Sequence, residues 1–129
     1  AIREHPKPAP PNMPCLDCPM PQDMEAAKEL EGAVSVRVIN VSTIKPMDLE
    51  AVRRMADGCR AVVTAEEHNV RGGLGSALAE VLCREPKPMK MVGIQDTFGC
   101  SGHNYQEVLE YHGLTKSAIA EAVREMAGI

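Results

Sequence analysis

Tryptophan is absent from this chain of 129 residues, and one Phe and two Tyr are its only aromatic rings. Single-stranded nucleic acid is bound by stacking bases on such rings, so that role lacks its platform. Positive charge is scarce as well. Fourteen Lys and Arg stand against 18 Asp and Glu, a net charge of -4. Phosphate backbones are gripped by clustered cations, so no nucleic-acid partner is expected. Long apolar runs are missing: no stretch reaches the ~18 residues of a membrane span, so no membrane partner is expected either. The opening AIREHPKPAPP lacks the apolar centre of a signal peptide. It begins with Ala1 rather than Met, which predicts a chain that is processed, trimmed or cut from something longer.

A disulfide framework is missing too. Cys15, Cys18, Cys59, Cys83 and Cys100 are odd in number and scattered. With eight Met, they fit a reducing, cytoplasmic setting.

What the chain does have is a sharp change of composition near residue 22. Seven of its ten prolines, at 6, 8, 10, 11, 14, 19 and 21, precede that point. Proline removes a backbone donor and biases its predecessor to extended forms. Residues 1–22 therefore read as an extended or disordered arm, and residues 23–129 as one domain.

Within the domain, helix and strand patterns alternate. Asp23 is placed to cap a helix bearing Met24, Ala27 and Leu30, ended by Gly32. Alternation at Val34, Val36 and Val38, with Ile39 and Val41 beyond, predicts a strand. Asp48 opens a helix with Leu49, Val52, Met55 and Ala56 along one stripe, and AVVTA (61–65) reads as a second strand. Leu74, Ala77, Leu78, Val81 and Leu82 have the strongest helical period in the chain. MKMVGI (89–94) reads as a third strand. Asn104 with Glu107 resembles a capping box, and Thr115 caps a last helix carrying Ala118, Ile119, Ala122, Val123 and Met126. Alternating strands and helices predict a mostly parallel sheet covered by helices. Three strands make a thin sheet, so one strand is expected to be missing or unplaced.

Four groups of residues invite a chemical reading. In GGLGSA (72–77), glycines at a helix start can cradle an anion, or simply permit close helix–sheet packing. The third glycine position of the dinucleotide fingerprint is Leu78. Glu66, Glu67 and His68 follow the second predicted strand, at the edge where parallel sheets bind ligands. Consecutive side chains of an extended segment face opposite ways, so the three cannot share one ion, and a hydrogen-bonding role is favoured. Cys15 and Cys18 form a C-x-x-C between prolines, without a second ligand pair for zinc; His5 is the nearest further donor. Cys100, Ser101 and His103 are too close in sequence for nucleophile–base geometry and suit a turn. His112 beside Gly113 suits a helix end, where positive charge is favourable.

Four segments in order, VRVINVSTIKPMD (36–48), VVTAEEHNVRGGLGSALAEVL (62–82), VGIQDTFGCSG (92–102) and LEYHGLTKSAIAEAV (109–123), resemble the C-terminal domain of the transketolase family. The chain looks most similar to the separate C-terminal subunit of split prokaryotic transketolases. Deoxyxylulose-phosphate synthase and the β subunits of 2-oxoacid dehydrogenases are more distant candidates. The resemblance implies a three-layer α/β/α sandwich, possibly lacking its first strand, whose usual place is taken by the Pro-rich arm. An uncovered sheet edge would follow. It implies that thiamine diphosphate and a divalent metal belong to other domains of the complete enzyme, since the GDG motif that holds them is absent here. It implies no catalytic, cofactor-binding or metal-binding residue in this chain. Glu66, Glu67, His68, Gly72, Gly73 and Gly75 match as architectural or interdomain positions. The expected partner is the N-terminal transketolase subunit, with a homodimer possible. Two other functions stand beside this one: a module holding a sugar phosphate or other small anion at Gly72–Ser76, and a self-assembling interaction domain.

Overall fold

The computed structural model describes residues 2–4 and 21–129. In chain order the elements are β1 (Ile2–Glu4), α1 (Pro21–Glu29), β2 (Val36–Val38), α2 (Leu49–Ala56), β3 (Val62–Asn69), α3 (Leu74–Leu82), β4 (Met89–Ile94), α4 (Tyr105–Tyr111) and α5 (Lys116–Ala127). The strands form one sheet in the order β2-β1-β3-β4. β3 and β4 are parallel, while β1 runs antiparallel to both its neighbours. β2, β3 and β4 therefore point the same way and β1 alone is reversed. Ile2–Glu4 lies in the gap between β2 and β3, so among the described residues the sheet has four strands rather than the three read from the domain itself.

The two faces of β3 sort the core. Val63 and Ala65 join Ala26 and Leu30 of α1, Val92 of β4, Leu109 of α4, Leu114, and Ile119, Ala120, Ala122 and Val123 of α5. Val62 faces the other way, toward Ala56 of α2 and Leu82 of α3, with Met89 against them. Adjacent strand residues point to opposite faces, so α1, α4 and α5 cover one side and α2 and α3 the other. The result is an α/β sandwich of three layers. Ile119 and Ala120 are fully buried, and burying an Ile side chain contributes about 2 kcal/mol.

The expected caps are in place. Asp48 accepts the Ala51 N–H at 2.9 Å, Asn104 that of Glu107 at 3.0 Å, and Thr115 that of Ala118 at 3.2 Å. Each satisfies one of the donors a helix start leaves free. The α3 stripe is buried through Leu74, Leu78, Val81 and Leu82, as its period predicts.

Other readings are corrected. Asp23 does not cap: α1 starts at Pro21, a favoured first position, and Asp23 lies buried in its first turn. The buried side of α1 is Asp23 and Ala26, with Leu30 just beyond, while Met24 is exposed. β2 is three residues long, because its partner among the described residues, β1, offers three residues to pair. β3 runs on to Asn69, so Glu66, Glu67 and His68 lie within a strand instead of after it. The arm over residues 5–20, with His5, Cys15 and Cys18, lies outside the described residues.

Candidate functional site

The carboxyl end of β3 meets the start of α3 through a turn at residues 70–73. Gly72 has a φ of +78°, which a side chain would oppose. Its N–H donates to Ser76 Oγ at 2.9 Å, and that hydroxyl donates to the Val70 carbonyl at 2.9 Å. The Arg71 N–H donates to Asn69 Oδ1 at 2.9 Å. The turn thus closes on itself with its own polar groups.

The start of α3 has no cap from its own turn. Gly73 is the capping residue and carries no side chain. The cap comes from β3: Glu66 Oε2 accepts the Leu74 N–H at 2.7 Å, and Oε1 accepts the Gly75 N–H at 3.0 Å. Glu66 is buried, and a buried carboxylate needs charge-assisted bonds of this kind. The positive end of the helix dipole completes its compensation. The glycines make room. A Cβ on Gly73 would overlap Glu66 Oε2 and lie 2.7 Å from the Asn69 carbonyl. A Cβ on Gly75 would lie 2.7 Å from Met91 Sδ and 3.0 Å from Thr64 Oγ1, so α3 sits directly on the sheet.

This geometry bears on the two readings of the glycine-rich turn. An anion at a helix start uses the free N–H groups there. Here Leu74 and Gly75 already serve a carboxylate of the same chain. Those two N–H groups are not available to a phosphate or to the diphosphate of a cofactor, which favours the packing reading over the anion module. Among the described residues, no three His, Cys, Asp or Glu are arranged to hold a metal ion.

Glu67 and His68 are exposed. Glu67 accepts a hydrogen bond from the Tyr105 hydroxyl, which holds the Tyr105 pKa above its ordinary value, with slight burial and the carboxylate charge adding to it. His68 donates through Nδ1–H to the Asn69 carbonyl at 2.8 Å. The three residues do not converge, as their alternation along the strand requires. Beside them, Arg71 pairs with Asp96 at 3.2 Å, both well exposed, tying the β3–α3 turn to the loop after β4.

Sequence reasoning missed one pair. Cys100 Sγ lies 3.5 Å from His112 Nε2, whereas the Cys100, Ser101 and His103 neighbours form no such pair. His103 instead donates its N–H to Glu107 Oε2 at 2.9 Å, completing the α4 start. His112 caps α4 and also lines an open cleft of about 400 Å³ with Lys90, Gln95, Glu121 and Glu125. In that cleft Lys90 is paired with Glu125 at 2.7 Å. Twelve residues separate Cys100 from His112, and no local pattern signals their meeting.

Comparison with known proteins adds to this geometry. The family model described as transketolase, C-terminal domain, matches residues 19–119. The chain belongs to the transketolase C-terminal domain family. It is 47% identical over 103 residues to the 6-deoxy-6-sulfo-D-fructose transketolase subunit SqwH of Clostridium sp. (strain MSTE9), covering 78% of this chain and 32% of that protein. It is 38% identical over 109 residues to the putative transketolase C-terminal section of Methanocaldococcus jannaschii, covering 82% of this chain and 33% of that protein. Among solved structures it is similar to a split gene transketolase described as an inactive beta4 tetramer. The TM-score is 0.73 at 44% identity, with 83% of this chain and 35% of that one covered. The chain therefore spans about a third of the length of these relatives.

Proposed function

We propose that this chain is the non-catalytic C-terminal part of a split, thiamine-diphosphate-dependent transketolase, with a structural role in ketol transfer between sugar phosphates. The carrying observation is the internal use of the α3 start: Glu66 fills with protein what would otherwise be an anion seat. The similarity to separately encoded transketolase subunits supports the same reading. In the complete enzyme the cofactor, with its divalent metal, supplies the carbanion chemistry on other domains. This chain's residues hold a rigid sandwich against those domains, and Glu66, Gly72, Gly73 and Gly75 shape the turn that does so. Glu67 and His68 lie on the surface, where they are free to contact a neighbouring domain. Residues 23–129 form the working unit, completed by β1 between β2 and β3 and by Pro21 and Gln22 at the start of α1. A cytoplasmic setting belongs to the same proposal and rests on Cys83 and Cys100, which are exposed and form no disulfide among the described residues.

The test is native mass spectrometry of tagged chain purified from its own cells. The expected species contains a larger partner and thiamine diphosphate. Recovery of the chain alone, as monomer or homodimer, would overturn the proposal in favour of a self-assembling domain.

A further inference from the structure

The three aromatic residues, Phe98, Tyr105 and Tyr111, all fall in the loop after β4 and in α4. All three are exposed, at 98%, 61% and 73%. The described core is aliphatic throughout. Single exposed apolar residues are ordinary on any protein. A chain that spends every aromatic ring on one stretch of surface is not, because aromatic anchors concentrate at the centres of protein interfaces.

The stretch is also continuous. Every residue from Gln95 to Gln106 is exposed, and so is Glu107. Yet it is tethered at both ends to the same place. Asp96 pairs with Arg71 at 3.2 Å, and Tyr105 donates to Glu67. The backbone at the second tether is fixed by the Asn104 cap. The loop is thus a presented surface beside the end of β3. Its charges, Asp96 and Glu67 against Arg71, leave it without the positive excess that nucleic acid would require.

We propose that the 95–104 loop, with Phe98 as its anchor and Tyr105 and Tyr111 behind it, docks the protein domain that makes up the remaining length of the split-subunit relatives. This rests on the subunit reading above. The occupant is argued from length: the chain accounts for 32%, 33% and 35% of three such proteins, so each carries about two-thirds of its chain beyond its counterpart of this domain. A surface of apolar rings with a slight acidic excess at its edge suits a folded protein partner.

The experiment is hydrogen–deuterium exchange on two proteins. One is the isolated chain; the other is the Clostridium SqwH protein with the stretch that this chain matches replaced by this chain. Exchange across residues 95–104 is expected to slow roughly tenfold or more in the second protein. Phe98→Ser should abolish the slowing, and Ile129→Ser, another exposed apolar position, should not. Slowing elsewhere but not at 95–104 overturns this face and leaves the subunit reading standing. Slowing nowhere overturns both. Slowing in the isolated chain that grows with its concentration assigns the face to a second copy and overturns the proposal. Dye binding gives a check that does not need the hybrid protein. Anilinonaphthalene sulfonate should bind the wild-type chain and lose most of its fluorescence with Phe98→Ser/Tyr111→Ser, at unchanged melting temperature. Equal fluorescence in the two proteins overturns the apolar patch.

Discussion

Glu66 and Glu67 are adjacent in the chain and serve opposite purposes. Glu66 points inward, is buried, and spends both oxygens on the first N–H groups of α3. Glu67 points outward and meets the hydroxyl of Tyr105. Around Glu66 the Gly72, Leu74 and Gly75 N–H groups are answered within the β3–α3 joint, and Gly73 keeps space for the carboxylate. Around Glu67 the surface is open, aromatic and tethered. One strand thus separates a closed architectural joint from an exposed face, and the pleat of β3 draws the line between them.

Breaking the closed side should cost most. Gly73→Ala places a Cβ against Glu66 Oε2 and the Asn69 carbonyl, so the carboxylate must leave the helix start while still buried. A loss of about 3–5 kcal/mol is expected, read by urea unfolding, as for a buried charge deprived of its partners. Glu66→Gln keeps the shape but leaves one accepting oxygen for two N–H groups. The expected loss is about 2 kcal/mol in the same measurement, and a neutral result would mean that the cap is dispensable.

Asp23 sharpens the comparison from α1. Burial raises its pKa above the ordinary 3.8, and its Oδ1 has no hydrogen-bond partner among the described residues. A carboxyl with a raised folded-state pKa favours the folded state only while protonated. Its contribution therefore falls as pH rises from the ordinary value through the raised one, and the penalty is complete above both. Asp23→Asn should raise stability at neutral pH by about 1 kcal/mol and flatten that part of the pH profile, followed by melting temperature from acid to neutral pH. A drop in melting temperature at neutral pH would show that the charge is compensated in the fold.

The open side should respond least. Glu67→Gln is expected to change stability by less than about 0.5 kcal/mol, as for other surface polar contacts. It should nevertheless lower the Tyr105 pKa, since the hydrogen bond and the charge that raise it are weakened or lost. Phenolate absorbance in a Tyr111→Phe background isolates that titration. An unchanged titration would place Glu67 away from Tyr105.

The sequence made the locally encoded parts of this structure readable. Asp48, Asn104 and Thr115 cap helices that begin beside them, and the α3 stripe repeats at the helical period. What escaped was non-local. Glu66 caps a helix from a preceding strand, eight residues before Leu74, and no capping rule reaches that far. The tight glycines were visible, and they could have been read as space reserved for a neighbouring side chain. β2 was overextended because an apolar alternation does not reveal how many residues its partner offers. The pairing of Cys100 with His112 depends on where α4 ends relative to the loop, which is a property of the fold. The confinement of all aromatic residues to 98–111 was legible in the sequence; their exposure was not.

The central claim is that the glycine-rich start of α3 belongs to the architecture and the cofactor to a partner. Calorimetric titration of thiamine diphosphate with magnesium into the chain alone tests it most directly. The account predicts no saturable heat. Stoichiometric binding, with the Leu74 and Gly75 amides shifting in a parallel NMR titration, would contradict it.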